Sequence, residues 1–376
     1  MQVIADLQLH SRFSRAVSPA MTIPNIAAWA RRKGIGLVAT GDWTHPVWFR
    51  EIERDLEEMG NGLLKLRSGD EVGAEVASSA RGDKNFLDPL LATGLPSRSQ
   101  DGAKLGKRSS KILSPLADQP LFLLATEVSS IFSQGGKVRR VHTLIWVPTI
   151  ESARKISQEM TKRGCNLMSD GRPIVGLSCI HIAELVLSIE PKALIIPAHA
   201  WTPWFSVYGE KGGFESLDEA FGPYAKHIYA VETGLSSNPS MNWRIKELDH
   251  RAIVSFSDAH SGPKLGREAT VFDVPDEKLS YEAVYQAIVN TARGDKNFFD
   301  PLLPATRFAR SGQAPETEQA RVYPGRSSGK RSSKILSPLA SQLKICRIAY
   351  TIEFYPEEGK YHWSGHRACG VRGGPA

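Results

Sequence analysis

Histidines and acidic residues follow short apolar, β-branched runs at several places in this chain. The last of these runs, Ile253-Val254-Ser255, leads to Asp258 and His260. Strands that are buried on both faces read as such runs, and an α/β barrel presents its reactive groups at the carboxyl ends of its strands. The pattern therefore predicts that the side chains after the runs meet at one face of a barrel. The other members of this set are Asp6, His10, Asp42, His45, Glu127, His142, His199 and Glu232.

A set of this composition indicates metal binding. One histidine at a strand end is more often a hydrogen-bonded structural residue, but many buried ionisable groups together are costly unless they are paired or bind a metal. Imidazole and carboxylate ligands suit zinc, manganese or iron, and the candidates outnumber the four ligands of one tetrahedral zinc ion. We therefore expect two or three divalent ions, zinc or manganese first, with magnesium and iron as alternatives. Such ions lower the pKa of water from about 15.7 to about 7 and stabilise phosphoryl displacement, so the predicted reaction is phosphate-ester hydrolysis.

Longer motifs around these positions resemble one protein family. They include Ser257-Asp258-Ala259-His260-Ser261, and the others lie at 11–18, 139–142, 197–204, 232–237, 264–268 and 359–362. In these motifs the chain is similar to endonuclease Q, a family of the polymerase and histidinol phosphatase (PHP) superfamily that nicks DNA beside deaminated or abasic nucleotides. The resemblance covers most of residues 1–77, 119–291 and 347–372.

The resemblance implies a distorted PHP-type (βα)7-like barrel with up to three metal ions. In this chain we expect that barrel to carry two low-complexity inserts and a short C-terminal extension. The ligands that the resemblance implies are His10, Glu127, His142, His199, Asp258 and His260, with Asp42 and His45 as further ligands. The residues that we expect to be catalytic are His199, Asp258 and Arg267.

Two departures from the family pattern affect these expectations. The superfamily opens with His-x-His, whereas this chain has Gln8-Leu9-His10. A carboxamide oxygen is a weaker ligand than imidazole for a borderline metal, so we expect one metal position to be weak, vacant or rearranged. The family also continues into a small cysteine-bearing zinc module, of which His366 and Cys369 would be remnants.

Aromatic and basic residues near the predicted ligands are candidates for substrate contacts. Trp201 and Trp204 follow His199 and could stack a displaced base, although they could equally wall the barrel mouth. Lys264 and Arg267 follow His260 and could contact a phosphate, with an ordinary solvated loop as the alternative. Arg12 belongs to a local basic patch that could also contact the substrate.

The net charge of +7 is concentrated in two segments. Residues 80–117 hold seven Lys or Arg against three Asp, and residues 292–344 hold ten against four acidic residues. These segments contribute +4 and +6, which leaves the rest of the chain at −3. DNA binding by the barrel would therefore depend on local basic patches rather than on the global charge.

The two basic segments are related in sequence. Ala80-Arg-Gly-Asp-Lys-Asn-Phe86 recurs at 292–298, and residues 106–117 recur at 329–340. Near-identity with unlike residues between the copies is not the period of a solenoid. Both copies are rich in Ser, Pro, Gly and Arg, which predicts disorder, with DNA-binding arms as the alternative. The predicted domains are a catalytic barrel at 1–291 interrupted by the insert at 80–117, a disordered basic insert at 292–344, and a remnant of the C-terminal module at 345–376.

Amphipathic helices separate the apolar runs. We predict them at Ile23–Lys33, from Pro46 to about Met59, between Thr149 and Arg163, from Ser178 to Ile189 and from Tyr281 to Asn290, with a late strand at 348–355. Thr149 and Ser178 are typical N-cap residues. The alternation of strands and helices predicts an α/β barrel with parallel strands.

The cysteines and the hydropathy pattern indicate a cytoplasmic protein. The cysteines are widely spaced and form no motif, which is typical of a reducing compartment. The N-terminus has no basic region before an apolar stretch, and no apolar run approaches the roughly twenty residues of a membrane span. The four cysteines are Cys165, Cys179, Cys346 and Cys369.

Damaged duplex or single-stranded DNA is the partner that we expect, but two alternatives to a DNA endonuclease stay open. The first is a PHP-type phosphoesterase that acts on small phosphoesters or nucleotides. The second is a non-catalytic DNA-binding repair protein, in which Gln8 marks a site that has lost activity. Salt-sensitive DNA binding without turnover would distinguish the second alternative from both enzymes.

Overall fold

The computed structural model describes residues 1–67, 119–274, 279–292 and 346–353, together with the backbone of 364–366 and 371–373. Met1–Asp295 and Ile345–Ala376 group into one compact unit. The insert at 80–117, and the insert at 292–344 apart from Ala292, lie outside the described residues. Their disorder and the domain boundaries drawn from them therefore stay predictions.

Strands form at the apolar runs, and the inner ones are buried along their whole length. Every residue of Leu37–Ala39 and of Leu194–Pro197 is buried, as expected for strands covered on both faces. In chain order the strands are β1 Gln2–Asp6, β2 Leu37–Ala39, β3 Leu56–Glu58, β4 Leu64–Leu66, β5 Leu121–Gln134, β6 Lys137–Val147, β7 Ile174–Val175, β8 Leu194–Pro197, β9 Ala230–Glu232, β10 Ala252–Val254, β11 Ala269–Asp273, β12 Arg347–Ile352, β13 Ser364–His366 and β14 Val371–Gly373.

The helices lie between these strands, and most of their bounds agree with the sequence prediction. Thr149 and Ser178 are N-caps whose side chains accept hydrogen bonds from Ser152 N and His181 N. In the part of the chain that the structure describes, no helix has the length and apolar character needed to cross a bilayer. The α-helices are α1 Ile23–Lys33, α2 Pro46–Asp55, α3 Ile150–Lys162, α4 Cys179–Ile189, α5 Leu217–Phe221, α6 Pro239–Asn242 and α7 Tyr281–Ala292.

One predicted helix is too long. The prediction extends α2 to about Met59, but the helix ends at Asp55. Residues 56–58 instead form β3, which pairs antiparallel with β4 from Leu56 opposite Leu66 to Glu58 opposite Leu64. The strand pairing satisfies backbone groups that a longer helix would otherwise satisfy, and it covers the buried side chain of Leu56.

The main sheet is mixed, so the predicted parallel pairing is found for only some of its strands. β1 pairs parallel with β2, and β2 pairs parallel with β5. In contrast, β6 pairs antiparallel with both β5 and β8, and β11 pairs antiparallel with β1. β9 and β10 form a separate parallel pair. The late strand, β12, joins the main sheet through antiparallel pairing with β11.

The β5–β6 hairpin is the main departure from a parallel barrel, and a two-glycine turn makes it. Gly135 and Gly136 have φ angles of 60° and 72°. Two successive left-handed residues form a type I′ turn, which matches the twist of the paired strands and which glycine adopts without Cβ strain. Glu127 lies opposite Leu144 and His142 opposite Ser129, so Glu127 and His142 are diagonal neighbours on one face of the hairpin.

Backbone hydrogen bonds connect the remaining strand ends into a ring. Leu9 and Ala259 form a bridge that joins the segments after β1 and β10. Ala200 N donates to Glu232 O at 2.9 Å, which joins the segment after β8 to β9. The carboxyl ends of these strands therefore lie at one face. The architecture is the distorted α/β barrel that the sequence predicts.

The N-cap of α3 provides a test of the local fold. Thr149→Ala removes the acceptor for Ser152 N and should lower the free energy of unfolding by about 1 kcal/mol. Thr161→Ala is the matched control, because Thr161 lies on the same helix and bonds only the carbonyl of Ser157. Chemical denaturation of both variants measures the difference. Equal stability of the two variants would contradict the cap.

Candidate metal centre

Two groups of potential metal ligands lie at the open face of the barrel. Within each group, one ligand atom from every residue lies within 4.8 Å of the others. The six residues come from five different segments of the barrel, because Asp258 and His260 share the segment after β10. The first group is His10, Asp258 and His260, and the second is Glu127, His142 and His199.

Glu127 connects the two groups. Its Oε2 lies 3.1 Å from His10 Nε2 in the first group, and its Oε1 lies 2.5 Å from His142 Nδ1 and 3.5 Å from His199 Nε2 in the second. The side chain is 1% exposed. A carboxylate in this position would be able to give one oxygen to each of two ions, so Glu127 would contribute to both ligand groups if metal were bound.

The donors fit divalent ions. Glu127 Oε1 and Asp258 Oδ1 are buried and accept no hydrogen bond of good geometry, although imidazole nitrogens lie 2.5 Å and 3.2 Å from them. An ion would satisfy both atoms. His10 Nε2 lies 3.2 Å from Asp258 Oδ1, and His142 Nδ1 lies 3.2 Å from His199 Nε2. Two ligands on one tetrahedral ion with bonds of about 2.0–2.1 Å are separated by about 3.3 Å. Imidazole and carboxylate donors suit zinc or manganese.

The histidines are oriented by bonds from their other ring nitrogens. His199 Nδ1 lies 3.0 Å from Thr202 Oγ1, and His260 Nδ1 lies 2.8 Å from the carbonyl oxygen of Asp258. Such partners fix the ring orientation and leave Nε2 to face the metal. Both rings are therefore oriented in the way that is typical of metal-binding histidines.

Three candidate site residues have left-handed backbones. The φ angles are 44° at Asp42, 31° at His199 and 46° at Asp258. Such conformations cost on the order of 1–3 kcal/mol and cluster at functional sites, where the surrounding structure holds them. Glu232 Oε2 accepts a 2.5 Å hydrogen bond from His199 N and stabilises that turn.

Arg267 stabilises the turn at Asp258. Its Nε donates to Ser257 O at 2.7 Å and its Nη2 to Asp258 O at 3.4 Å. The prediction makes Arg267 catalytic and substrate-binding, but two of its donors are used on backbone carbonyls. The structure therefore places it as a positioning residue for Asp258.

Asp42 lies behind His10 and is not in either ligand group. Its Oδ1 lies 3.0 Å from His10 Nδ1, and its Oδ2 accepts from Ser11 N, Ser11 Oγ and Ser14 Oγ at 2.6–2.8 Å. A fully hydrogen-bonded carboxylate behind a histidine orients that ring and makes it a better ligand. Both oxygens of Asp42 already have hydrogen-bond partners, and direct metal binding by Asp42 stays a prediction.

His45 is also outside both groups. Its Nδ1 accepts from Trp48 N at 3.4 Å as the N-cap of α2, and its ring stacks on Phe13 at a centroid distance of 4.5 Å. Burial lowers the pKa of His45, so the ring is neutral. The residue caps the helix that follows it, and its role as a further metal ligand stays a prediction.

Comparisons with known proteins now identify the family resemblance in the structure. No family model matches the chain. The lesion-specific endonuclease PfuEndoQ of Pyrococcus furiosus has 29% identity and a TM-score of 0.56 over 77% of this chain and 56% of its own. Endonuclease Q in complex with a 27-mer duplex substrate bearing an abasic lesion has 30% identity and a TM-score of 0.57 over 77% and 57%. This chain is endonuclease Q-like, with the PHP fold.

The chain spans only part of its relatives. It covers little more than half of the two endonuclease Q structures, at 56% and 57%. The uncharacterized protein YqxK of Bacillus subtilis is 36% identical over 133 residues, which are 34% of this chain and 32% of that protein. The fold and the family likeness therefore follow from the comparisons, whereas the activity and substrate are left to proposal.

Gln8 has a defined place in this endonuclease Q-like site. It is buried, and its Nε2 donates to Glu127 Oε2 at 3.0 Å. The other side-chain atom, Gln8 Oε1, is buried without a hydrogen-bond partner. The amide nitrogen thus holds the carboxylate of Glu127 by a hydrogen bond.

The predicted substrate-binding residues are distributed around the site. The ring of Trp201 stacks on Tyr208 with centroids 4.6 Å apart, and Trp204 is 49% exposed. Lys264 is exposed. Arg12 Nη2 pairs with Glu51 Oε1 at 2.7 Å, so part of its charge is neutralised.

Sequence reasoning missed Arg172. Its Nη1 lies 3.5 Å from His10 Nε2 and 3.9 Å from Glu127 Oε1. The residue lies in the run Ser169-Asp-Gly-Arg-Pro173, which reads as an ordinary turn. No apolar strand precedes it, so the pattern that finds the other site residues gives no signal here.

The charged groups of the centre shift one another's pKa values. Although burial alone lowers the pKa of His10, the Asp42 charge and hydrogen bonds to Asp258, Asp42 and Glu127 raise it well above its usual value. Burial raises the pKa of Glu127, but His142 and Arg172 outweigh this and hold it well below its usual range. Burial lowers the pKa of His142 to about 4. Without metal, His10 is therefore the protonated histidine and Glu127 is ionised.

Asp42 provides a test of metal binding. Asp42→Asn should lower the affinity for Mn²⁺ or Zn²⁺ about ten- to a hundredfold, because the histidine loses a charged hydrogen-bond partner. Asp55→Asn is the control, since Asp55 is a buried carboxylate that pairs with Arg54. Equilibrium dialysis measures both affinities. Wild-type affinity in the Asp42 variant would contradict the role of Asp42.

Metal affinity should also rise with pH through the neutral range. The raised pKa means that His10 carries a proton at neutral pH, and this proton must leave before Nε2 can bind an ion. His142, with a pKa of about 4, is already neutral and releases none. Calorimetry of Mn²⁺ binding in buffers of different ionisation enthalpy counts the protons. An affinity that is independent of pH, with no proton release, would disprove this account of His10.

Proposed function

We propose that this chain is a metal-dependent phosphodiesterase that nicks DNA beside deaminated or abasic nucleotides. The observation that carries the proposal is the pair of ligand groups joined by Glu127, in a fold shared with endonuclease Q. A bridged pair of ions is the arrangement that stabilises both the attacking and the leaving oxygen of a phosphoryl displacement. The likeness to a lesion-specific endonuclease supports DNA as the substrate.

The two ligand groups favour two ions over three. His10, Asp258 and His260 would hold one ion and Glu127, His142 and His199 the other. Asp42 and His45, the further candidates, are used in hydrogen bonds. Divalent ions held there would supply Lewis acidity and lower the pKa of water.

The exposure of the ligand side chains indicates the side from which the substrate would approach. Asp258 and His260 are the most open of the ligands, with 26% of each side chain exposed, whereas Glu127 is 1% exposed. The scissile phosphate would therefore approach from the side of Asp258, where the carboxylate can accept a proton from the attacking water. His199 is less exposed, at 12%, and Arg267 holds the Asp258 turn in place.

An aromatic surface beside His199 fits a displaced base. Trp201 is fixed by the stack on Tyr208 and by a 2.8 Å hydrogen bond from its Nε1 to Asn242 Oδ1. Trp204 lies three residues further along and is largely exposed. Rigid aromatic faces bind an unstacked base at low conformational cost, as base-flipping enzymes require.

The charge distribution favours one alternative, hydrolysis of small phosphoesters or nucleotides. Outside residues 80–117 and 292–344, the chain carries a net charge of −3. A duplex would gain little from the global field of such a barrel. Competition between lesion-bearing duplex DNA and nucleoside monophosphates separates the two substrates.

The proposal predicts metal-dependent nicking of a duplex that contains uracil, hypoxanthine or an abasic site. A change to a residue behind the ligands lowers activity about ten- to hundredfold. His199→Ala and Asp258→Ala should lower the nicking rate by more than this, because each removes a ligand itself. His250→Ala is the control, since His250 is exposed and outside both groups. Gel assays with and without Mn²⁺ or Zn²⁺ measure the product. Turnover of monophosphates alone would support the small-substrate alternative, and no turnover of either would refute hydrolysis.

A further inference from the structure

Arg172 places a positive charge inside the metal centre. Its guanidinium Nη1 lies between His10 Nε2 at 3.5 Å and Glu127 Oε1 at 3.9 Å. Its side chain is 22% exposed, so part of it is accessible to solvent. It therefore reaches both ligand groups without belonging to either.

The loop that carries Arg172 is fixed on both sides. Arg172 N donates to Asp170 Oδ1 at 3.0 Å, Gly171 N donates to Phe13 O at 3.0 Å, and Pro173 O accepts from Ser129 N at 3.0 Å. A Cβ on Gly171 would lie 2.3 Å from Asp42 Oδ2, so the loop packs directly against the carboxylate that orients His10. The guanidinium is therefore held at the centre by the fold.

The contacts of Arg172 are unlike those of a structural salt bridge. Arg139 pairs with Glu219 at 2.6 Å, and Arg12 pairs with Glu51 at 2.7 Å. For Arg172, the one carboxylate oxygen within 4.0 Å among the described residues is Glu127 Oε1, at 3.9 Å. Although burial lowers the pKa of Arg172, the surrounding carboxylates raise it, so the group stays charged. The planar fork of donors thus has no closely bound carboxylate.

Ions bound at the centre would change the electrostatic surroundings of Arg172. Once the oxygens of Glu127 face two divalent cations, the guanidinium has like charges beside it and requires an anion. Arginine recognises phosphate with two parallel hydrogen bonds from its rigid fork. Because Arg172 is partly exposed, an anion from solvent can reach its guanidinium.

We propose that Arg172 is a catalytic residue that donates hydrogen bonds to a non-bridging oxygen of the scissile phosphate. This inference rests on the proposed function and adds a third, fixed positive charge to a two-ion centre. The group binds the phosphate in the ground state and stabilises the charge that develops on its oxygens as the leaving-group bond breaks. It does not ligate metal.

The test compares Arg172→Ala and Arg172→Lys with wild type. Arg163→Ala is the matched control, because Arg163 pairs with Glu159 at the end of α3, outside the centre. Four properties are measured in each protein: the metal content after loading with Mn²⁺, the melting temperature, the binding of inorganic phosphate to the loaded protein by calorimetry, and kcat for nicking.

We expect Arg172→Ala to keep its metal content and lose phosphate affinity, with kcat lower by about 10²–10³-fold. Arg172→Lys should recover part of both losses, since it restores a charge but not the fork. Millimolar guanidinium ion should restore turnover to Arg172→Ala and not to His199→Ala. If Arg172 had only a structural role, free guanidinium ion would not restore turnover.

Two results would overturn the inference. One is loss of metal from Arg172→Ala, which would make the residue a support of the ligands. The other is phosphate affinity and kcat within about twofold of the Arg163→Ala control. If the wild-type protein nicks no substrate, the proposed function fails, but phosphate binding to the loaded protein still decides whether Arg172 binds the anion.

Discussion

The structure depends on one buried carboxylate, Glu127. Its two oxygens face different sets of donors, which come from segments far apart in the sequence. A negative charge buried to this degree is costly unless cations or donors surround it. His10, His142 and Gln8 contact its oxygens, and Arg172 adds a positive charge 3.9 Å away. These four residues therefore stabilise the charge of Glu127.

The barrel departs from a parallel sheet at the β5–β6 hairpin, which carries Glu127. A strictly parallel sheet would put one reactive side chain at the end of each strand. The β5–β6 hairpin instead brings Glu127 and His142 together in the middle of a paired ladder, and the tight turn at Gly135 and Gly136 makes this pairing possible. The antiparallel pairs and the geometry of the centre thus have a common cause.

Much of this arrangement follows from the sequence. The apolar runs give the strands, the caps at Thr149 and Ser178 give two helix starts, and the six ligands lie at strand ends or within paired strands. The antiparallel hairpin is missed because periodicity shows which residues are buried and not which way a strand runs. The hydrogen bonds of Asp42 and His45 are missed for another reason. A residue that binds metal and one that positions a ligand have the same composition and spacing, and only the hydrogen bonds distinguish them.

The central claim is that Glu127 joins two metal ions, and diffraction tests this most directly. Anomalous scattering from crystals of the protein grown with Mn²⁺ or Zn²⁺ would locate the ions without reference to activity. The account predicts two peaks, one beside each oxygen of Glu127, with His10 and Asp258 at the first and His142 and His199 at the second. A single peak, or ions bound through Asp42 and His45, would contradict it.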